Sequence, residues 1–270
     1  MPVCTLHLLS IKCSISRFLE GLVNGKELRP VIVAKVHRWV IIPSFLSLEL
    51  LRSKWDVVLL LEGPFGLAST VQELVEEDWK VEVGVPSRIL KDFAQRNQAL
   101  LYPTPGSVPP LTGALEKRHS PAPSSAQDLE LSDELLEWIN KFKAAEGAGA
   151  VTMLNILAFK EGMKSEYLKY GQAFSESVGV KRGGNAKLVG NILSPSHYTS
   201  RTASVDGQEK QWDEFAMAHY PTISHFADMI ASKDYQEVNH KHRLPSLKDT
   251  LIICATDLEL PSVQERAAKL

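Results

Sequence analysis

The sequence has no long hydrophobic run and little cysteine. No window comes near the roughly 18 to 20 uninterrupted apolar residues that a membrane-spanning helix needs, and Lys12, Arg17 and Glu20 interrupt the start of the chain, which argues against a secretory signal. The three cysteines have no CxxC or Cys/His spacing, which excludes a disulfide framework and a zinc finger. We therefore expect a soluble, unexported protein of the reducing cytoplasm.

The sequence also lacks a surplus of either charge and the common catalytic motifs. Thirty basic and 32 acidic residues give a formal net charge of −2 without a block of one sign, so neither nucleic acid nor a membrane is an expected partner. No GxSxG, HExxH or P-loop is present, and Gly183-Gly184 lacks the GxGxxG spacing. Serine-hydrolase and nucleotide-binding readings therefore lose their usual support.

What the chain does have is length and apolar content for one large domain or two small ones: 270 residues, 44% of them hydrophobic. Six of the fifteen prolines fall between residues 103 and 123, which predicts an extended, solvated linker over 103–131. After it, Ser132 is the expected start of a connecting helix over 132–147.

The segments on the two sides of this linker match in order. The four matched pairs are Val3–Lys12 with Val151–Lys160, Lys54-Trp55-Asp56 with Gln211-Trp212-Asp213, Asp78-Trp79 with Asp234-Tyr235, and Leu90-Lys91-Asp92 with Leu247-Lys248-Asp249. This order indicates two copies of one unit, over 1–102 and 148–260, with a C-terminal tail over 261–270.

The second copy shows its secondary structure most clearly. The predicted order is a strand at 151–159, a helix ended by Gly183-Gly184, a short strand at 188–193, a polar loop at 197–210, a strand at 212–220, a helix capped by Thr222, and a strand at 250–258. In the first copy we expect, in order, a strand at 3–12, a helix marked by Ile15, Phe18, Leu19 and Leu22, strands at 30–42 and 55–61, a helix marked by Val71, Leu74 and Val75, and a closing strand near Ala99–Tyr102. Each copy is thus β-α-β-β-α-β.

This order is the ferredoxin-like split βαβ, a four-stranded antiparallel sheet with helices on one face. The strands at 31–36, 57–61 and 251–255 are apolar at nearly every position, which calls for burial on both sides. We therefore predict an α+β fold in which two ferredoxin-like repeats close into an intramolecular eight-stranded α/β barrel. A cavity is expected inside the barrel or between a sheet and its helices.

The run W-D-E-F-A-M-A-H-Y-P-T-I-S-H-F-A-D-M-I-A-S-K-D-Y-Q-E-V-N-H-K-H-R (residues 212–243) resembles the dimeric α/β-barrel superfamily. It is nearest to an uncharacterised branch in which a strand ending in Tyr-Pro leads into a helix with a later Tyr and Arg. The superfamily includes muconolactone-type isomerases, polyketide cyclases, cofactor-free monooxygenases, haem-dependent enzymes and members without known activity. The resemblance therefore implies a fold and leaves the reaction open.

The densest polar cluster is N-H-K-H-R, with His240, His242 and Arg243. It is either a solvated cationic helix end, favoured by the helix dipole, or part of a site. Tyr220 closes the third strand of the second copy, where the resemblance to polyketide cyclases implies a proton donor or an orienting group.

His7 is an isolated polar residue in an apolar strand, so it is either a hydrogen-bonded core residue or part of a cavity lining; Asn155 is its counterpart. Lys35, His37 and Trp39 alternate along one strand, and we expect them to share one face. That face is either a cavity lining or, the reading we favour, a solvent edge. The three cysteines are expected to be buried and inert.

Taken with the resemblance, these residues favour a cofactor-free isomerase or cyclase of secondary metabolism. Its substrate would be an apolar, carbonyl-bearing, polyketide- or lactone-like molecule. The expected catalytic residues are Tyr220, His240 and His7, and the expected substrate-binding residues are Asn155, His242, Arg243, His37, Lys35 and Trp212.

Two alternatives stay open: a monooxygenase of the same fold, haem-dependent or cofactor-free, and a non-catalytic carrier of a hydrophobic ligand. No metal site is expected, and haem is the one cofactor left open. The repeat supplies an internal pseudo-dimer, so we expect a monomer or a homodimer.

Overall fold

The computed structural model describes residues 1–25, 28–64, 66–117, 123–200, 204–206 and 211–260; the predicted tail lies outside these ranges. The strands within them are β1 (Val3–Ile11), β2 (Pro30–Ile41), β3 (Val57–Glu62), β4 (Val75–Gly84), β5 (Val151–Phe159), β6 (Asn185–Ile192), β7 (His197–Thr199), β8 (Ser204–Asp206), β9 (Glu214–Tyr220) and β10 (Leu247–Asp257). The helices are α1 (Ile15–Asn24), α2 (Ser69–Gln72), α3 (Ser87–Leu90), α4 (Phe93–Leu101), α5 (Asp133–Glu146), α6 (Lys164–Ala173), α7 (Ile223–Ile230), α8 (Lys233–Val238) and α9 (Leu244–Ser246). Two π-helical turns, Phe174–Val178 and Asn239–Arg243, continue α6 and α8.

Eight of the strands close into an antiparallel barrel. The first half contributes the order β4-β1-β3-β2 and the second half β10-β5-β9-β6, which is the ferredoxin-like order in each case. The pairs β2–β10 and β6–β4 join the halves at both seams. The α+β barrel predicted from the sequence is confirmed.

The strands are apolar on consecutive positions because both faces of the sheet are covered. In β3, Val58 and Leu60 point into the barrel, where they join a core that runs through all eight strands. Val57, Leu59 and Leu61 point outward beneath α1. All five side chains are at most 1% exposed, so burial on both faces follows from the strand sequence.

The first two sequence matches are structural equivalents. Asp56 precedes β3, and its Oδ2 accepts a hydrogen bond from the backbone N–H of Ile11 at 3.0 Å. Asp213 precedes β9, and its Oδ2 accepts one from the N–H of Phe159 at 2.8 Å. The same carboxylate therefore fixes the same strand ending in both halves.

The other two matches are wrong. Asp78-Trp79 lies in β4 whereas Asp234-Tyr235 lies in α8. Leu90 is the last residue of α3 and Lys91-Asp92 follow it, whereas Leu247–Asp249 begins β10. Two or three shared residues occur by chance in a chain of this length.

The predicted closing strand of the first half is also wrong. Ala99–Tyr102 lies at the end of α4, and the closing strand is β4, which begins at Val75, a residue expected in a helix. The segment V-E-E-D-W-K-V-E-V-G has the period of two that marks a half-polar strand, with Trp79, Val81 and Val83 in the barrel core.

The predicted polar loop over 197–210 contains the short strands β7 and β8, and β7 extends the sheet by pairing with β4.

In β2, the register against β10 shifts between Val36 and Arg38. Because of this bulge, Trp39 packs against the barrel core, whereas His37 packs edge-on against Phe142 of α5. The expectation that Lys35, His37 and Trp39 share one face is therefore wrong, and β2 is not an edge strand.

Within the proline-rich stretch, the segment over residues 109–114 is docked rather than solvated. The buried carboxylate of Asp228 accepts hydrogen bonds from Thr112 N, Thr112 Oγ1 and Ala114 N at 2.6–3.1 Å. The side chain of His225 bonds Pro109 O at 3.0 Å. The segment thus lies against α7, because its backbone polar groups find partners there.

The connecting helix is confirmed as α5: Ser132 Oγ accepts from Leu135 N at 3.2 Å, and Leu135, Ile139 and Phe142 are buried against the second half. In the described part of the chain, no helix combines the length and the hydrophobicity needed to cross a bilayer.

Candidate functional site

A cavity of about 260 Å³ lies between α6 and the outer sheet face of the second half. Aromatic and aliphatic side chains form most of its wall. The lining residues are Leu129, Met153, Asn155, Tyr167, Leu168, Tyr170, Gly171, Phe174, Ser175, Ala186, Val189, Glu214, Ala216, Ala218, Tyr220, Phe226 and Ile252. This is the second of the two locations predicted from the fold.

Small side chains on the sheet create this cavity. Along β9, the outward-facing residues are Glu214, Ala216, Ala218 and Tyr220, two apart in sequence, and all four line the cavity. The matching positions of β3 carry valine and leucine, which fill the space beneath α1. Two alanines in place of leucines thus leave room for a ligand.

Three other hollows have volumes of about 230, 450 and 810 Å³. The largest surrounds Gly63 and Pro64 in the turn after β3, and another lies along α4. We consider the 260 Å³ cavity beneath α6 the best candidate, because it reaches the buried sheet face and combines an apolar wall with a few polar groups.

Glu214 is the one carboxylate in the lining. Glu214 is 8% exposed, and its Oε2 lies 3.2 Å from Lys164 Nζ. The same Nζ donates a hydrogen bond to Asn191 Oδ1 at 2.8 Å. Burial raises the pKa of Glu214 and outweighs the opposing effect of the Lys164 charge. The carboxyl is therefore able to exchange a proton nearer neutral pH than an exposed glutamate.

Aromatic rings close the opposite end of β9. Tyr220 packs edge-to-face with Phe174 and Phe226, at ring-centre distances of 6.2 and 5.3 Å. Its hydroxyl lies 3.6 Å from Met229 Sδ, a weak acceptor, and burial raises its pKa well above the usual value.

A pair of tyrosines lies between the two ends. Tyr170, on α6, lines the cavity, and its hydroxyl lies 3.2 Å from that of Tyr235 on α8. Tyr235 is fully buried. Burial raises the pKa of both phenols, so both stay protonated and able to donate.

Arg243 lies behind this wall. It is 1% exposed, its Nη1 lies 3.4 Å from Asn239 Oδ1, and its Nη2 has no hydrogen-bond partner among the described residues. Its positive charge acts on Tyr167, Tyr170, Tyr220 and Tyr235, lowering their pKa values against the effect of burial.

Both π-helical turns adjoin this region. One supplies Phe174 and Ser175 to the lining, and the other supplies Arg243. Such turns are rare, and they occur often at functional sites.

The structure places three of the predicted site residues together. Tyr220 and Asn155 line the cavity, and Arg243 lies behind its tyrosines. The two histidines of the cluster lie elsewhere: His240 has a side chain 54% exposed and pairs with Glu130, while His242 pairs with Glu166.

The remaining predicted residues are not brought to the cavity. His7 lies in the first half, where its Nδ1 lies 2.8 Å from Asp78 Oδ1. Trp212 lies inside the barrel and donates to Ser47 Oγ at 3.0 Å. His37 bonds Thr256 Oγ1 at 2.9 Å, and Lys35 pairs with Glu146 on α5 at 2.8 Å.

The sequence analysis missed Glu214 and Tyr170. Glu214 was detectable, because the alternation E-F-A-M-A-H-Y puts it on the same strand face as Tyr220. Tyr170 lies in the helix predicted to end at Gly183-Gly184, and its hydrogen bond to Tyr235 depends on how α6 and α8 pack.

The lining does not suit haem. Among the described residues that line the cavity there is no histidine or cysteine, and burial raises the pKa of the lining tyrosines, which opposes tyrosinate ligation of iron.

The described part of the chain also holds no group of three or more His, Cys, Asp or Glu arranged for a metal ion. Of the thiols, Cys4 and Cys254 are buried, and burial raises the pKa of Cys254 to about 12.

Comparisons with known proteins found similarity among solved structures alone. No family model matches the chain, and no curated protein matches it. RPA0582, a protein of unknown function from Rhodopseudomonas palustris, shares 23% identity over 48% of this chain and 96% of its own, with a TM-score of 0.36. A candidate monooxygenase from Lactobacillus acidophilus shares 7% identity over 95% of this chain and 93% of its own, with a TM-score of 0.42. Another, from Fusobacterium nucleatum, shares 8% identity over 97% of this chain and 94% of its own, with a TM-score of 0.44. Likeness at this level carries no argument about activity.

Proposed function

We propose that the protein is a small-molecule enzyme that moves a proton on an apolar, carbonyl-bearing ring bound in the second-half cavity. The observation that carries the proposal is a buried carboxyl, Glu214, the one carboxylate among the described lining residues, in a mostly apolar pocket. The cavity is slightly smaller than the roughly 300 Å³ at which ligand sites commonly begin. This size suits one or two fused rings.

In the proposed reaction, the carboxylate of Glu214 takes a proton from the carbon next to the carbonyl. The C–H electron pair moves into the enolate, whose oxygen carries the negative charge. In a ring with a β,γ double bond the enolate is conjugated, and return of the same proton from Glu214 to the γ-carbon gives an isomer. In a substrate with a second carbonyl group, the enolate carbon attacks that carbonyl carbon, and the resulting alkoxide takes the proton back from Glu214 to give a cyclised alcohol. General acid–base catalysis of this kind contributes about 10²- to 10⁴-fold in rate.

Lys164 and Asn155 support this role. Lys164 Nζ bonds Asn191 Oδ1 and pairs with Glu214, which fixes the direction of the carboxylate. The side chain of Asn155 lies in the lining and bonds Met153 O at 2.9 Å, which leaves the other amide atoms to orient a substrate. His240 and His7, expected earlier to share the proton transfer, have no part in this proposal because neither lines the cavity.

Deuterium exchange tests the proposal. Cyclic ketones and lactones of one and two rings are incubated with the protein in D₂O, and NMR follows loss of the proton next to the carbonyl. We expect the protein to accelerate exchange for at least one ring, and Glu214→Gln to lower that rate by about 10²-fold or more. Glu161→Gln, at an exposed position outside the cavity, is the matched control. If rings bind but the protein does not accelerate their exchange, the proposed enzymatic activity is contradicted, and the result favours a non-catalytic carrier of a hydrophobic ligand.

A further inference from the structure

The buried tyrosine pair and Arg243 carry an inference about the ligand. We infer that Tyr170 donates its hydroxyl proton to a negatively charged oxygen of the ligand, an enolate or a phenolate, and that Tyr235 and Arg243 are positioning residues for that bond. This inference rests on the proposed function, since it names the oxygen that the same cavity stabilises.

The direction of the Tyr170–Tyr235 hydrogen bond follows from their surroundings. Tyr235 is fully buried, and its hydroxyl has no other partner within the described ranges. The guanidinium of the neighbouring Arg243 carries only N–H donors and cannot accept a hydrogen bond. If Tyr170 donated to Tyr235, the Tyr235 proton would be buried without an acceptor. Tyr235 is therefore the donor, which leaves the Tyr170 proton for a ligand in the cavity.

The charge around this pair favours an anion. Arg243 is a buried cation for which no carboxylate partner is found in the described part of the chain, and its Nη2 is unsatisfied. A buried charge without a partner is costly. A ligand oxyanion bound by the Tyr170 hydroxyl would supply negative charge near the guanidinium, whose charge already acts on Tyr170 and Tyr235.

The cavity has room for such a ligand between Glu214 and Tyr170. Glu214, on β9, and Tyr170, on α6, both line this one cavity, so a single bound ring can contact both side chains. A base at one end and a hydroxyl donor at the other match the two ends of an enolising carbonyl compound.

Binding of 4-nitrophenol tests the inference, because its absorption reports whether the bound molecule is ionised. We expect it to bind as the phenolate, with an acid dissociation constant increased about tenfold or more over that in water. Tyr170→Phe and Arg243→Met should abolish the increase, whereas Arg243→Lys should keep part of it. Tyr198→Phe removes a buried hydroxyl outside the cavity and should leave the increase unchanged.

A bound nitrophenol that ionises no more readily than in water, or no saturable binding of it, would overturn the inference. If 4-nitrotoluene binds while 4-nitrophenol does not, the anion preference fails but the cavity stands. Tyr235→Phe gives a second test if Tyr170→Phe does not fold, because it removes the donor to Tyr170 and should reduce the increase. Deuterium exchange depends on Glu214, so failure of the proposed function is seen separately.

Discussion

The two halves of the barrel share a strand order but differ on their outer faces. At three matched positions, the first half has Val57, Leu59 and Leu61, and the second half has Glu214, Ala216 and Ala218. The first set packs tightly under α1, and the second leaves a cavity under α6. The outer sheet face is therefore filled in the first half, and in the second half it has room for a ligand.

The polar residues differ in the same way. His7 and Asn155 occupy matched positions, but His7 is sealed, with 0% exposure and a bond to Asp78, whereas Asn155 lines the cavity. In one fold, matched backbone positions thus serve packing in one half and line a cavity in the other.

The largest expected effect is on the packed half. Leu59→Ala removes a fully buried side chain and should lower the free energy of unfolding by about 2 to 5 kcal/mol. Urea denaturation measures it. Leu51→Ala, at a 40% exposed position, should stay within about 0.5 kcal/mol. If Leu59→Ala also created a second site for 4-nitrotoluene, an apolar hollow alone would be enough for binding. The difference between the buried His7 and the cavity-lining Asn155 would then not explain why the second half binds a ligand.

The reverse change fills the second half. Ala218→Leu introduces the residue found at the matched position Leu61, and should weaken binding of 4-nitrotoluene on the order of 100-fold, since the new side chain occupies the ligand volume. Titration calorimetry measures it. Ala145→Leu, on the exposed surface of α5, is the control. Unchanged affinity in Ala218→Leu would place the binding site elsewhere.

The smallest effect concerns pH. His219 is buried, whereas the matched residue Glu62 has a side chain 49% exposed. Burial, helped by the charge of Lys187, lowers the pKa of His219 to about 4 from 6.5. Below pH 6.5 the unfolded chain binds a proton at His219 that the folded protein does not, so this histidine should lower the free energy of unfolding by about 2.5 kcal/mol between pH 6.5 and 4, with little effect above that range.

His219→Gln should flatten this dependence between pH 6.5 and 4, while His240→Gln, at an exposed position, should retain it. Denaturation midpoints across that range measure both. An equal slope in His219→Gln and the parent protein would show that another group sets the pH dependence.

The fold was predictable because its signals are local and repeated. The strands are apolar at consecutive positions, and the Trp-Asp pairs Trp55-Asp56 and Trp212-Asp213 mark the same strand start in each half. Strand β4 was not predicted, because its first residue, Val75, was assigned to a helix together with Val71 and Leu74. The docked linker was missed because its partner, Asp228, lies more than 100 residues away.

The site was predictable only in part. Tyr220 and Asn155 lie on strands, where a period of two gives the face, so their common location followed from the fold. His240 and His242 lie on a π-helical turn, whose side-chain directions differ from those of an α-helix. The Tyr170–Tyr235 contact depends on helix packing that no single segment encodes.

The most direct test of the contrast between halves is NMR of protein labelled at the methionine methyl groups. Met153 lines the cavity, and Met1 lies beside Gly84 in the first half. Saturation with 4-nitrotoluene should shift the Met153 signal and leave the Met1 signal in place. A shift of Met1 with Met153 unmoved would contradict the assignment of the second half as the ligand-binding half.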